Sequence, residues 1–177
     1  PGMLDKKGPV MSESAASSRR DFLKATAGSA LAASMPLARS VHAAGSDLLR
    51  IGLVGCGGRG TGAAVNALTA DPNTRLVALA DAFADPIPGT LTRLQKAKPE
   101  QVAVDAEHQF NGLDAYRQLI DCVDVVLLAT PSHFHPIHLM AAVEAGKHVF
   151  VEKPQAVDPT QVRMVKTACE LAKEKNL

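Results

Sequence analysis

Residues 55 to 60 read Gly-Cys-Gly-Gly-Arg-Gly, which places Gly55, Gly57 and Gly60 in a G-x-G-x-x-G spacing. That spacing suits one chemical task, bringing backbone N–H groups close to a phosphate. The first glycine permits a tight strand-to-helix turn, the second lets the backbone approach a pyrophosphate, and the third lets the helix pack close to the sheet. A helix starting here offers its unsatisfied N–H groups and positive dipole end to the anion. Asp81 follows 21 residues after Gly60, near the spacing at which a carboxylate accepts hydrogen bonds from both hydroxyls of a ribose. The pattern therefore predicts a dinucleotide. Because Asp81 would repel a 2′-phosphate, it predicts NAD in preference to NADP. Gly55, Cys56, Gly57, Gly58, Arg59 and Gly60 all belong to the expected cofactor loop, with Arg59 either pairing with the pyrophosphate or left to solvent.

Such a loop works only between a buried strand and a helix. The apolar run from Leu48 to Val54 reads as the strand and Thr61 to Ala70 as the helix, closed by the turn Asp71-Pro72-Asn73. A second buried strand, Thr74 to Ala80, delivers Asp81. Pro86 and Pro88 lead into a helix over Gly89 to Lys96. A short strand is expected at Val102 to Val104, then a loop ending at Asn111-Gly112 and a helix from Leu113 to Ile120. Val125 to Ala129 has the continuous apolar character of a central parallel strand. The loop Thr130 to His135 follows, then a helix from Pro136 to Ala145 capped by Gly146, and a strand from His148 to Val151. Asp158 as N-cap and Pro159 at the first helical position open a last helix running to Glu174. Alternating strands and helices of this kind predict an α/β fold with a doubly wound parallel sheet over residues 48–177.

Two further segments carry a family resemblance. Ala129-Thr130-Pro131-Ser132-His133-Phe134-His135 and Ala145-Gly146-Lys147-His148-Val149-Phe150-Val151-Glu152-Lys153-Pro154, taken with the glycine loop, resemble the Gfo/Idh/MocA oxidoreductases. The resemblance implies that Thr130 and Pro131 contact the cofactor ribose and phosphates and that His135 approaches the nicotinamide side. It implies that Glu152, Lys153 and Pro154 lie beside the nicotinamide ring. Lys153 would be the catalytic residue, bonding the substrate hydroxyl of a sugar, cyclitol or glycoside, with burial lowering its pKa toward a useful value. A plain surface ion pair between Glu152 and Lys153 is the simpler alternative. The family also implies a second α/β domain and a homo-oligomer. The chain ends where the last Rossmann strand is expected, so the second domain is expected to be absent and this chain alone inactive. Some relatives oxidise and re-reduce one carbon to cleave a glycoside without net redox change, which is the competing activity. A non-catalytic nucleotide-binding module is the third.

The first segment reads as an address. Ser18-Arg19-Arg20-Asp21-Phe22-Leu23-Lys24 resembles the bacterial twin-arginine consensus, and a weakly apolar stretch, Ala25 to Ala38, follows it. That stretch is shorter than the roughly 20 residues of a membrane span, so no stable membrane insertion is expected after cleavage. Val41-His42-Ala43 offers small residues for cleavage after Ala43. Residues 11–43 are thus assigned to the signal and residues 1–10, which precede Met11, are read as extraneous. An amphipathic helix is disfavoured there, because Gly28 and Pro36 interrupt it and no 3.6-residue stripe is sustained. The export machinery is the expected partner and the periplasm, or another exported location, the destination. A route that carries folded proteins suits one that collects its nucleotide in the cytoplasm.

Composition excludes other classes. A net charge of +1 and an aromatic content of 3% supply neither the basic field nor the stacking platforms of a nucleic-acid binder. Cys56, Cys122 and Cys169 have neither disulfide nor zinc spacing. His133, His135 and His138 are closely spaced but lack an acidic or thiolate partner, so a metal site is not expected.

Overall fold

The computed structural model describes residues 48–177. The signal assigned to residues 11–43, its cleavage after Ala43 and the segment 1–10 lie outside the described residues. Five strands, β1 (Leu49–Val54), β2 (Thr74–Asp81), β3 (Gln109–Asn111), β4 (Val125–Leu128) and β5 (His148–Val151), alternate with five helices. The helices are α1 (Gly58–Ala70), α2 (Pro86–Ala97), α3 (Ala115–Cys122), α4 (His135–Glu144) and α5 (Pro159–Glu174). All strand pairs are parallel, in the order β3-β2-β1-β4-β5. The order reverses between β1 and β4, and open α/β sheets bind ligands at the carboxyl ends of strands beside such a reversal.

The sheet is covered on both faces. On one, Ile51, Leu53, Leu76, Leu79 and Leu127 meet Leu68 of α1 and Leu94 of α2. On the other, Val54, Val126 and Leu128 meet Leu119 of α3 and Ala142 and Val143 of α4, with Ala168 of α5 in the same cluster. Strict alternation would send Leu76 and Leu79 to opposite faces. The β1–β2 register jumps, Ile51 facing Leu76 and Gly52 facing Ala78, so Val77 is the inserted residue of a bulge and both leucines reach the same core.

The third strand corrects the sequence reading. The expected strand at Val102–Val104 reduces to a single bridge between Val102 and Leu76. The paired segment is Gln109–Asn111, opposite Leu79–Asp81, inside what reads as a loop. An edge strand packs with one neighbour and needs no continuous apolar run, so local composition gives it little signal. Helix starts also move. α1 begins at Gly58, and α2 at Pro86, because prolines in the first turn give up only N–H groups that have no helical partner. α3 runs two residues later than expected. α5 matches its expected bounds, with the Asp158 carboxylate accepting from Gln161 N–H at 2.8 Å.

Candidate functional site

The glycine loop joins β1 to α1 at the carboxyl edge of the sheet. Gly55 has φ +101°, and a Cβ there would lie 2.7 Å from the Ala129 backbone, so β1 can run this close to the start of the next loop only with glycine. A Cβ on Gly60 would overlap the Gly55 carbonyl oxygen. Gly57 and Gly58 differ, since a Cβ on either would meet nothing within 4 Å. Their missing side chains serve no internal packing and leave the helix N-terminus open to an approaching group. Asp81 closes the loop from β2, its Oδ2 accepting from Cys56 N–H at 2.7 Å and its Oδ1 from Phe83 N–H at 3.0 Å.

A cavity of about 370 Å³ opens beside this loop. Of the expected cofactor residues, Gly55, Gly57, Asp81, Thr130 and Pro131 line it. Sequence reasoning missed the larger side chains of the wall: Phe83, Leu113, Tyr116, Phe134 and His138. The Tyr116 and His138 ring centroids are 4.1 Å apart, and Phe134 stacks on His138 at 5.9 Å. These residues come from three loops and two helices, and only the aromatic types at positions 83, 116 and 134 offered a hint. His138 is 5% exposed. Burial pushes its pKa down to about 4, with His135 and Arg117 adding to the effect, so the ring is neutral at pH 7. Burial, reinforced by Asp81, raises the Cys56 thiol to about 12, which makes it a packing group and not a nucleophile.

The second group gathers at the end of β5. Glu152 is 6% exposed and its Oε1 lies 2.6 Å from Arg59 Nη2. The hydrogen bond from Arg59 holds this carboxyl below the usual carboxylate range. Arg59, which the sequence left between pyrophosphate and solvent, thus has a third partner. Glu152 pairs with Arg59 and not with the adjacent Lys153. Lys153 itself is exposed, where the sequence reading expected burial. His135 is 1% exposed and does not line the cavity. Its Nδ1 lies 3.0 Å from the Pro154 carbonyl oxygen, which can only accept, so Nδ1 carries a proton and donates it to this bond. Gln161 of α5 adds a second tie, donating to His133 Nδ1 at 2.9 Å while its Oε1 accepts from Val157 N–H at 3.2 Å. The Thr130–Phe134 loop and the segment carrying Lys153 are thereby held together from both sides. Among the described residues no group of three or more histidine, cysteine or carboxylate side chains could hold a metal ion.

The residues fit a dinucleotide: an open helix N-terminus for a pyrophosphate, a carboxylate at the end of β2, and an apolar, aromatic cavity for a flat ring. Comparison with known proteins agrees. A family model described as "Oxidoreductase family, NAD-binding Rossmann fold" (GFO_IDH_MocA) matches residues 49–177. A second, for the twin-arginine translocation signal, matches residues 17–36 and marks the chain for export by that pathway. No helix among the described residues is long and apolar enough to cross a membrane. The chain is 36% identical over 158 residues to "Glycosyl hydrolase family 109 protein 2" of Shewanella sp. (strain MR-4), covering 78% of this chain and 34% of that one. It is 35% identical over 114 residues to "Glycosyl hydrolase family 109 protein 1" of Bacteroides fragilis (strain YCH46), covering 63% and 23%. The chain therefore spans about a quarter to a third of the length of the curated relatives it matches. Among solved structures, a mutant of a 3-ketoreductase from Actinomadura kijaniata, in complex with TDP-benzene and NADP, superposes with a TM-score of 0.54 at 28% identity, over 74% of this chain and 37% of that one. A biliverdin reductase from Synechocystis, bound to biliverdin and NADP+, gives 0.55 at 25% identity, over 72% and 35%.

Proposed function

The chain belongs to the Gfo/Idh/MocA oxidoreductase family, and from that premise we propose that it is the cofactor-binding portion of an exported, NAD-dependent oxidoreductase acting on a sugar, cyclitol or glycoside hydroxyl. The observation that carries this reading is the pairing of an open helix N-terminus with the Asp81 carboxylate at the rim of an apolar cavity. Gly57 and Gly58 leave space for the pyrophosphate. The Asp81 oxygens, each engaged once by a backbone N–H, retain lone pairs for ribose hydroxyls. Phe83, Tyr116 and Phe134 supply the apolar wall against which a planar base would lie. Thr130 and Pro131 face the same cavity from the loop after β4. When bound, NAD supplies the two-electron acceptor. Lys153 would then donate a hydrogen bond to the substrate oxygen, and the His135 and Gln161 ties would hold its segment in place. Neutral Asp81 substitutes and 2′-phosphorylated cofactors would both be poorer matches than wild type with NAD.

A redox-neutral glycoside cleavage is the second reading, and the relatives named glycosyl hydrolase family 109 favour it. In the full-length protein, product formed without an added electron acceptor would select it, while strict acceptor dependence would select net oxidation. The first test is mass spectrometry of small molecules released on denaturing the protein purified from cytoplasm. Stoichiometric NAD(H) is expected. Absence of any nucleotide, with added NAD also failing to raise the melting temperature, would overturn the proposal.

A further inference from the structure

The glycine loop has an anchor that lies outside its motif. Thr90 sits on α2 with Ile87 and Leu94, the buried stripe of that helix, where an apolar residue is the ordinary occupant. It is fully buried, and its hydroxyl meets the loop, a cation on its own helix and a second hydroxyl on α1. Its Oγ1 lies 2.6 Å from the Cys56 carbonyl oxygen, and Arg93 Nη2, one turn further along α2, lies 2.9 Å from the same Oγ1. The directions are unambiguous, because a carbonyl only accepts and a guanidinium only donates. The hydroxyl therefore receives a charge-assisted bond from Arg93 and donates one to the Cys56 carbonyl, an arrangement in which each bond polarises the next. Thr61 of α1 completes the set. Its N–H and its hydroxyl both donate to the Gly57 carbonyl at 2.9 Å, and its Oγ1 is 3.3 Å from Thr90 Oγ1.

The consequence follows from peptide geometry. The Cys56 carbonyl and the Gly57 N–H belong to one planar trans peptide and point in opposite directions. Drawing the carbonyl inward to Thr90 turns the Gly57 N–H the opposite way, and a Cβ on Gly57 itself would meet nothing within 4 Å. Among the hydrogen bonds of the described residues, none takes that N–H. Cys56 N–H is meanwhile held by Asp81, so the residue is clamped at both of its backbone groups.

We propose that Thr90, oriented by Arg93, is a positioning residue for cofactor binding, aiming the Gly57 N–H at the pyrophosphate. This rests on the dinucleotide reading of the site. The test is titration calorimetry of the full chain with two probes: ADP-ribose, which carries a pyrophosphate, and adenosine, which does not. Thr90→Val removes the hydroxyl at nearly constant shape and is expected to weaken ADP-ribose about tenfold, the scale of one lost hydrogen bond. Adenosine should stay within about twofold, and Thr90→Ser should restore ADP-ribose binding. Arg93→Met, at an exposed position, should weaken ADP-ribose about threefold and serves if Thr90→Val does not fold. Unchanged ADP-ribose affinity in these variants would overturn the proposal. So would equal losses for both probes, which would mark Thr90 as a packing residue only. A wild-type chain that bound neither probe would overturn the cofactor reading itself, and this proposal with it.

Discussion

At Asp81 the carboxylate braces the glycine loop through Cys56 N–H and its own turn through Phe83 N–H, while still bordering the cavity. An amide cannot do all of this, because its NH2 accepts from neither backbone donor. Asp81→Asn is therefore expected to weaken NADH binding by about tenfold or more and to narrow the preference over NADPH. Nicotinamide fluorescence titrations would measure both, and an unchanged ratio would show that Asp81 does not set the choice. The titration of His138 bears on stability. Its folded pKa, about 4, lies below the ordinary 6.5, so between those values the unfolded chain binds more protons. Stability should then be fully present above about pH 6.5 and decline as pH falls toward 4, by on the order of 3 kcal/mol in all. Asp124, held below the carboxylate range chiefly by its hydrogen bond from Arg50, acts in the same direction but in a lower window, from just above its ordinary value of 3.8 downward. Chemical denaturation at stepped pH would separate them: His138→Leu should flatten the profile above pH 4 and leave the acid limb.

On the scale of elements, the strand–loop–helix unit separates two kinds of glycine. Gly60→Ala forces a methyl into the Gly55 carbonyl, so α1 must move off β1. A loss of about 3 kcal/mol or more is expected, beyond the roughly 1 kcal/mol gained from alanine's helix propensity. Gly57→Ala meets no protein atom, and the Gly57 backbone at φ −82° suits any residue. Stability should stay within about 0.5 kcal/mol of wild type, while NADH affinity falls at least tenfold, because the methyl occupies the approach to the pyrophosphate. Melting temperature and NADH titration on the same two variants would check the contrast. Equal stability losses would dissolve the distinction between packing and binding glycines. α2 matters for a different reason: it contributes Ile87 and Leu94 to the core and Thr90 to the loop, so one helix couples burial to cofactor geometry.

Taken whole, the molecule joins an export signal to a nucleotide fold, and the order of events has a testable form. Changing Arg19→Lys and Arg20→Lys together should leave precursor in the cytoplasm with its nucleotide still bound, read by cell fractionation and by small-molecule mass spectrometry. Efficient export of the double variant would argue against twin-arginine transport. Much of this was legible in the chain itself. The glycine spacing, Asp81, the apolar run of β4 and the Asp158–Pro159 helix start are constraints between near neighbours, where backbone conformation, capping and burial leave a mark on local composition. Sequence alone therefore determined the doubly wound fold, the nucleotide loop and the export address. It did not reach the bulge at Val77, the third strand at Gln109–Asn111, the Arg59–Glu152 pair, the aromatic cavity wall or the Thr90 anchor. Each of these joins segments far apart in the chain, and only their packing in three dimensions decides which polar group finds which partner. An isolated threonine, arginine or histidine carries no local pattern that names its partner, whereas the packed sheet and helices leave each of them a short choice.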